Sequence, residues 1–158
     1  MAELLDTSVA SVNSALQRAR ATLATVDVDD TRPNAIDAEQ PALLTRYVEA
    51  FERYDIPSLV ALLHEEATFS MPPYALWLRG RHEVSNWMLG PGRGCRDARV
   101  VTTAANGCAA FGSYRPAGPG AHEPWSLVVL EIWGGRIVAV NNFLDTKLFA
   151  AFGLPPRL

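Results

Sequence analysis

The turn signals in the second half of the chain constrain its fold more than any other feature. Asn106-Gly107 and Gly134-Gly135 each stand between two runs of strand-forming residues. Such pairs between strand-like runs favour tight hairpins. The predicted hairpins join residues 98–105 with 108–115, and residues 125–133 with 136–145. The sequence therefore predicts a meander of four strands.

The residues before this meander are patterned as helices. Behind Pro41, apolar residues recur at helical spacing, at Leu44, Tyr47, Val48, Phe51 and Tyr54. Further helices are predicted over 59–64, 81–89 and 146–152, with one short strand over 67–70. Helices that precede a meander predict an α+β fold, with the helices on one face of a curved antiparallel sheet.

Composition divides the chain into three parts. Residues 1–24 form an amphipathic segment, residues 25–40 an acidic linker almost free of bulky apolar groups, and residues 41–158 a globular domain. A chain of 158 residues that is 49% hydrophobic can bury one core without disulfides or metals. A net charge of −3 excludes a general attraction of the whole chain for nucleic acid.

The compartment is predicted from cysteine usage and from the hydrophobic runs. Cys95 and Cys108 form no CxxC pair, and no apolar run approaches the roughly 20 residues of a membrane span. The N-terminus also lacks the basic start and apolar centre of a signal peptide. We therefore expect a cytoplasmic protein without a membrane partner.

The N-terminal segment carries one narrow apolar stripe at helical spacing, formed by Val9, Val12, Leu16, Ala19 and Leu23. Its other side is small, polar and basic, with Ser11, Asn13, Ser14, Gln17, Arg18 and Arg20. The preceding AELL and the capping residues 6–8 give this segment the pattern of a DNA-reading helix-turn-helix. A solvated amphipathic helix explains the same pattern.

Residues 2–23, AELLDTSVASVNSALQRARATL, closely resemble the end of region 4 in extracytoplasmic-function (ECF) sigma factors of the sigma-70 class. The motif S-V-x-S-x-L-x-R-A-R lies at residues 11–20. The resemblance implies that the six polar and basic residues just named read promoter DNA. It also implies two partners, core RNA polymerase and promoter DNA.

Four later segments resemble the SnoaL-like C-terminal extension of a subset of these factors: ATFSMPPYALWLRGR (67–81), TAANG (103–107), NNFLD (141–145) and FGLP (152–155). The resemblance implies the cone-shaped fold of nuclear transport factor 2 (NTF2) and ketosteroid isomerase. Region 2 and the first helices of region 4 have no counterpart here. We therefore expect the C-terminal part of a sigma factor, with an incomplete helix-turn-helix in residues 1–24 and a SnoaL-like domain in residues 41–158.

No residue pattern presents a catalytic set, a metal site or a cofactor site. The histidines His64, His82 and His122 are dispersed, and no nucleophile motif is present. Glu131 is the one candidate buried acid. A two-residue hairpin loop would place Val138, Val140 and Asn142 on its face, and burial there would raise its pKa. An ion pair of Glu131 with Arg79, Arg99 or Arg136 is the alternative.

The aromatic residues indicate binding rather than chemistry. Tyr74, Trp77 and Trp87, together with Glu131, are candidates for a pocket that takes a small apolar ligand, and ordinary core packing is the alternative. The turn Trp77-Leu78-Arg79-Gly80 joins two residue types that dominate protein interfaces, so we predict a regulatory contact there. In the other interpretation, Trp77 belongs to the core and Arg79 pairs with a nearby carboxylate.

Two classes of function follow. The first is a fragment of an ECF sigma factor whose SnoaL-like domain regulates sigma activity, through a ligand or through contacts with other sigma regions. The second is a free-standing isomerase or cyclase with the same fold. The segment SVNSALQRAR favours the first, because an enzyme of this fold has no use for it. A homodimer that pairs through the sheet stays open.

Overall fold

The structure, a computed structural model, describes residues 7–25 and 39–158, which fall into two separate units. The first unit contains the helix α1 (Val9–Thr25). The hydroxyl of Ser8 accepts a hydrogen bond from the backbone N–H of Ser11 at 3.1 Å, which caps the first turn. The predicted AELL turn lies outside the described residues, as does the acidic linker except at its two ends.

The second unit holds four helices and six strands among the described residues. In chain order these are α2 (Glu39–Glu52), α3 (Ile56–Ala61), β1 (Leu63–Ser70), β2 (Trp77–Arg79), α4 (Arg81–Leu89), a 3-10 turn (Pro91–Cys95), β3 (Arg99–Ala105), β4 (Cys108–Pro116), β5 (His122–Trp133), β6 (Arg136–Phe143) and α5 (Leu148–Ala151). The helices of the first half and the meander of the second half match the predicted order of elements.

The six strands form one sheet in the order β2-β1-β6-β5-β4-β3. Both predicted hairpins are present, with Ala105 opposite Cys108 and Trp133 opposite Arg136. The sheet is mixed rather than antiparallel throughout, because β1 runs parallel to β6. That pairing starts at Leu63, so the backbone there is extended where the sequence predicts the end of a helix. The short edge strand β2 was not predicted.

The inner face of the sheet packs against α2, α3 and α4. The buried side of α2 is formed by Leu43, Leu44, Tyr47, Ala50 and Phe51. The rings of Tyr47 and Phe51 lie 5.9 and 5.7 Å from the ring of Phe111 on β4. This helical layer and the inward-facing strand residues make up the main core.

A smaller core lies on the outer face, under α5 and the C-terminal segment. The ring of Phe149 meets the ring of Tyr114 edge-on, with 5.2 Å between centroids. The Tyr114 hydroxyl donates a hydrogen bond to the carbonyl oxygen of Pro155 at 2.8 Å. Ala105, Ala110, Leu127 and Leu154 are the other buried residues of this cluster. The C-terminal segment therefore covers part of the outer face.

The pairing of β5 with β6 shifts by one residue between Glu131 and Ile132. Glu131 therefore pairs with Ala139 rather than with Val138. A one-residue shift moves every following side chain to the opposite face of the sheet. The predicted neighbours Val140 and Asn142 accordingly lie on the inner face. Ala139, Asn141 and Phe143 share the outer face with Glu131.

Candidate functional site

The interior of the cone is filled by side chains. The cavity between the helices and the inner face has a volume of about 10 Å³, roughly the space that a single water needs. The rings of Phe69 and Trp87 lie 4.9 Å apart and fill much of this region. This cavity therefore has room for about a single water.

The groups that line this interior do not supply a base. Among the described lining residues there is no Asp, Glu or His, and the titratable ones are Tyr47 and Cys95. Burial raises the pKa of the Tyr47 hydroxyl. Burial also raises the pKa of the Cys95 thiol, against a lowering effect of the Arg115 guanidinium. Both groups are therefore neutral at pH 7, so neither is a ready acceptor for a substrate proton.

The four residues predicted as a pocket do not come together. Trp87 is half-buried in the main core, whereas Tyr74 and Trp77 are 64% and 70% exposed. Glu131 is exposed on the outer face of β5, where its side chain alternates with the inward-facing Leu130 and Ile132, so the prediction of a buried acid is wrong. Of these four residues, Glu131 is the one that lines a large cavity in the described part of the chain.

That cavity is an open groove of about 560 Å³ at the hairpin end of the sheet, called here the outer groove. Its lining is mostly apolar and consists of Gln40, Ala105, Asn106, Cys108, Val129, Leu130, Glu131, Ile132, Trp133, Val138, Asn141 and Phe143. Trp133 and Phe143 are two of the large hydrophobic side chains that remain exposed in the second unit. The volume lies within the range of about 300–1,000 Å³ that is usual for small-molecule sites.

A short chain of hydrogen bonds orients the carboxylate in the outer groove. The side-chain amide of Asn141 donates to Oε1 of Glu131 at 2.8 Å, and the hydroxyl of Ser70 donates to Oδ1 of Asn141 at 2.8 Å. Cys108 lies beside this carboxylate. Burial raises the pKa of its thiol, and the negative charge of Glu131 raises it further.

Among the described residues Glu131 makes no ion pair, so the alternative of a pair with Arg79, Arg99 or Arg136 is not observed. Arg79 pairs instead with Glu66, with 3.0 Å between Nε and Oε2, and Arg136 donates to the carbonyl oxygen of Ala61 at 2.6 Å. The sequence did not single out Asn141 or Ser70 as site residues. The signal that could have identified Asn141 is the pair of polar residues 141–142 in a mostly apolar strand. Neighbouring side chains of a strand point to opposite faces, so this pair places one asparagine on each face of the sheet.

The turn predicted to make regulatory contacts lies on the edge strand β2. Trp77 is 70% exposed, so the interpretation of this residue as core is wrong. Arg79 is exposed and pairs with Glu66, as its alternative interpretation expects. Leu78 is half-buried against the main core, and Gly80 (φ +90°) turns the backbone into α4. Residues 77–79 therefore expose an aromatic ring and a guanidinium, and the guanidinium is paired with Glu66.

The predicted DNA-reading residues all lie on α1. Every one of the six is exposed: Ser11, Asn13, Ser14, Gln17, Arg18 and Arg20. The apolar stripe of α1 is also open, with Val9 67% and Leu16 49% exposed. Among the described residues, α1 thus presents both its polar side and much of its apolar side to solvent.

No described helix is both long enough and apolar enough to cross a membrane. Within residues 7–25 and 39–158, no group of three or more His, Cys, Asp or Glu side chains is placed to hold a metal ion.

The arrangement of α2, α3 and α4 on one face of a mixed six-stranded sheet is that of NTF2-like proteins, as comparison with solved structures shows. The chain superimposes with a TM-score of 0.57 on a protein of Kribbella flavida that is provisionally assigned as a ketosteroid isomerase, at 20% identity over 70% of this chain and 81% of that one. An NTF2-like protein of unknown function from Burkholderia xenovorans gives 0.56 at 13% identity, covering 67% and 82%. An epoxide hydrolase of the LEH-like type from Mycobacterium tuberculosis gives 0.51 at 17% identity, covering 69% and 84%.

The family is shown directly by sequence. Residues 44–140 match the SnoaL-like domain family, so the chain belongs to that family. Along its whole length it is 41% identical to the ECF RNA polymerase sigma factor SigG of Mycobacterium tuberculosis, in both strain CDC 1551 / Oshkosh and strain H37Rv. The chain spans 44% of the length of these relatives. The resemblance to the SnoaL-like part of an ECF sigma factor is thereby confirmed.

Proposed function

We propose that this chain acts as part of an ECF sigma factor, in which the SnoaL-like domain regulates transcription initiation and α1 takes part in reading the promoter. The observation that carries the proposal is the match at 41% identity along the entire chain, which includes α1 as well as the domain. The proposed partners are core RNA polymerase and promoter DNA. The proposed reading residues are the six exposed polar and basic residues of α1.

The regulatory contact is proposed at residues 77–80. Support comes from the exposure of Trp77 and Arg79 on an edge strand, where neither side chain is needed to fill the core. Exposed pairs such as Arg79–Glu66 contribute about 0–1 kcal/mol to folding, so loss of the arginine leaves the domain folded. Tryptophan and arginine are also the side chains that most often dominate interfaces.

The test replaces Arg79 by alanine in a sigma factor that contains this chain, and measures promoter-driven transcription beside thermal melting. We expect altered transcription with a melting temperature changed by no more than a few degrees. The matched control is Arg53→Ala. Arg53 is likewise exposed and paired with a carboxylate, Glu49, at 4.0 Å, but it lies on α2. Unchanged transcription in Arg79→Ala would show that control is exerted elsewhere.

By itself this chain is expected to bind promoter DNA weakly. Residues 1–24 contain Arg18 and Arg20 but also Glu3 and Asp6, a net charge of zero. Specific DNA-binding proteins neutralise roughly 6–10 phosphates. Fluorescence anisotropy with a −35 duplex at ~150 mM salt measures the affinity. Submicromolar binding would contradict the expectation. In the whole sigma factor, Arg18→Ala should weaken promoter recognition.

The alternative function is an isomerase or cyclase, which several solved neighbours of this fold are named for. The filled interior and its lack of a described base argue against proton transfer there. Glu131, on the outer face, is the remaining acid to test. The assay screens enolisable ketones against the chain and its Glu131→Gln variant. We expect no turnover by either protein, and turnover that Glu131→Gln abolishes would favour the enzyme.

A further inference from the structure

The outer groove is built like a binding site for a small molecule rather than like an ordinary depression in the surface. Its volume of about 560 Å³ would accommodate a molecule of several rings. Its walls are mostly apolar, and Trp133 and Phe143 leave large hydrophobic surfaces open to water at its rim. Covering such surfaces with an apolar ligand is favourable because it removes apolar area from water.

The charge of the outer groove is unbalanced. Glu131 is the single charged side chain among its described lining residues, and it makes no ion pair in the described part of the chain. The amide of Asn141 holds Oε1 in place, while Oε2 receives no hydrogen bond from any described group. The groove thus combines apolar walls with one oriented carboxylate that has an open lone-pair position. A carboxylate in such surroundings favours a cationic partner that donates hydrogen bonds.

We propose that the outer groove binds a small organic cation, with an apolar, ring-containing body and one protonated amine. The amine donates to Oε2 of Glu131, and the body lies against Val129 and Val138. The indole of Trp133, 62% exposed at the rim, adds a face to which a cation is attracted. One part rests on the proposed function: that this cation is the signal which the regulatory domain senses. Binding itself requires no sigma activity.

The test measures binding of matched probes to the purified 158-residue chain by isothermal titration calorimetry. The probes are 1-naphthylmethylamine, which is cationic at pH 7, 1-naphthylmethanol, which is neutral, and 1-naphthoate, which is anionic. We expect the amine to bind about tenfold more tightly than the alcohol, since a hydrogen bond to a charged group distinguishes them. The anion should bind most weakly, because it is repelled by Glu131.

Two variants assign the effect to the groove. Glu131→Gln removes the charge and should bring the amine and the alcohol to equal affinity. Glu123→Gln is the matched control, because Glu123 is an exposed glutamate on the same strand but outside the groove, and it should keep the tenfold preference. Thermal melting of both variants confirms that they are folded. Equal affinity of the wild-type chain for amine and alcohol would overturn the proposal.

Two further readouts separate the remaining explanations. In amide and indole NMR spectra, the amine should shift the signals of Trp133 and Asn141, and shifts confined to the core residues Phe69 and Trp87 would overturn the proposal. Sedimentation should show a monomer with an open groove. A dimer in which the groove is closed to the amine would also overturn it. None of these measurements involves transcription, so failure of the binding proposal leaves the sigma factor role untouched.

Discussion

Gly112 on β4 is a position where one added methyl group should destabilise the domain by overpacking. A Cβ added there would lie 2.8 and 3.2 Å from the two Cδ atoms of Leu154 and 3.0 Å from Cε1 of Phe149. Both neighbours are buried in the small outer core. The methyl group of Gly112→Ala therefore requires them to move. Overpacking of this kind costs about 1–3 kcal/mol of unfolding free energy.

The assay is thermal and urea unfolding of the 158-residue chain. For a domain of this size, the expected cost corresponds to a melting temperature lowered by roughly 4–12 °C. The matched control is Gly94→Ala. A Cβ at Gly94 would find its nearest neighbour, Nη2 of Arg115, at an ordinary 3.5 Å. That variant should be neutral or more stable by a few tenths of a kcal/mol, since alanine restricts the unfolded chain.

A double variant tests the cause. Leu154→Ala alone leaves a cavity and should cost about 2–5 kcal/mol. In Gly112→Ala/Leu154→Ala the new methyl group enters the space that the leucine vacates, so the combined loss should be smaller than the sum of the single losses by about 1 kcal/mol or more. Strictly additive losses, or a Gly112→Ala variant within about 0.5 kcal/mol of wild type, would refute the packing of Leu154 and Phe149 over this strand.

Three further expectations follow from individual contacts. Tyr114→Phe removes the buried hydroxyl that donates to the C-terminal segment and should cost about 1–2 kcal/mol in urea unfolding. Glu131→Gln should lower the pKa of Cys108, because the carboxylate charge raises this pKa in addition to the effect of burial. The pH dependence of Cys108 alkylation by iodoacetamide should then have its midpoint at a lower pH than in the wild-type chain. An unchanged midpoint would contradict the contact between Glu131 and Cys108. Hydrogen bonds from Ser58 lower the pKa of Asp55, the N-cap of α3. The charged cap therefore stabilises the folded state fully at pH values above the unfolded pKa of about 3.9. This stabilisation is lost as the pH falls through the lower pKa of the folded state. Asp55→Ala should therefore lower the melting temperature at pH 7 and make little difference at pH 2.

The sequence by itself determined the elements whose cause is local. In the hairpin between β3 and β4, Asn106 and Gly107 both adopt positive φ, at +53° and +78°, which these two residue types tolerate best. The spacing of apolar residues on α2 likewise fixed which side of that helix is buried. The family resemblance was also available from residues alone, because it depends on short segments in order along the chain.

Tertiary structure decided the sheet and the site. The parallel pairing of β1 with β6 joins segments about 70 residues apart, and no local preference specifies which strand lies beside another. The shift beside Glu131 then placed Asn141, rather than Asn142, next to the carboxylate. Successive side chains of a strand point to opposite faces of the sheet. One extra residue in a strand therefore moves all the following side chains to the other face. Whether a strand contains such an extra residue is visible only from its pairing with the neighbouring strand. The packing of the layers likewise decides the positions of two tryptophans from one segment. Trp77 is exposed, whereas Trp87 fills part of the interior, and the composition of the segment does not distinguish them.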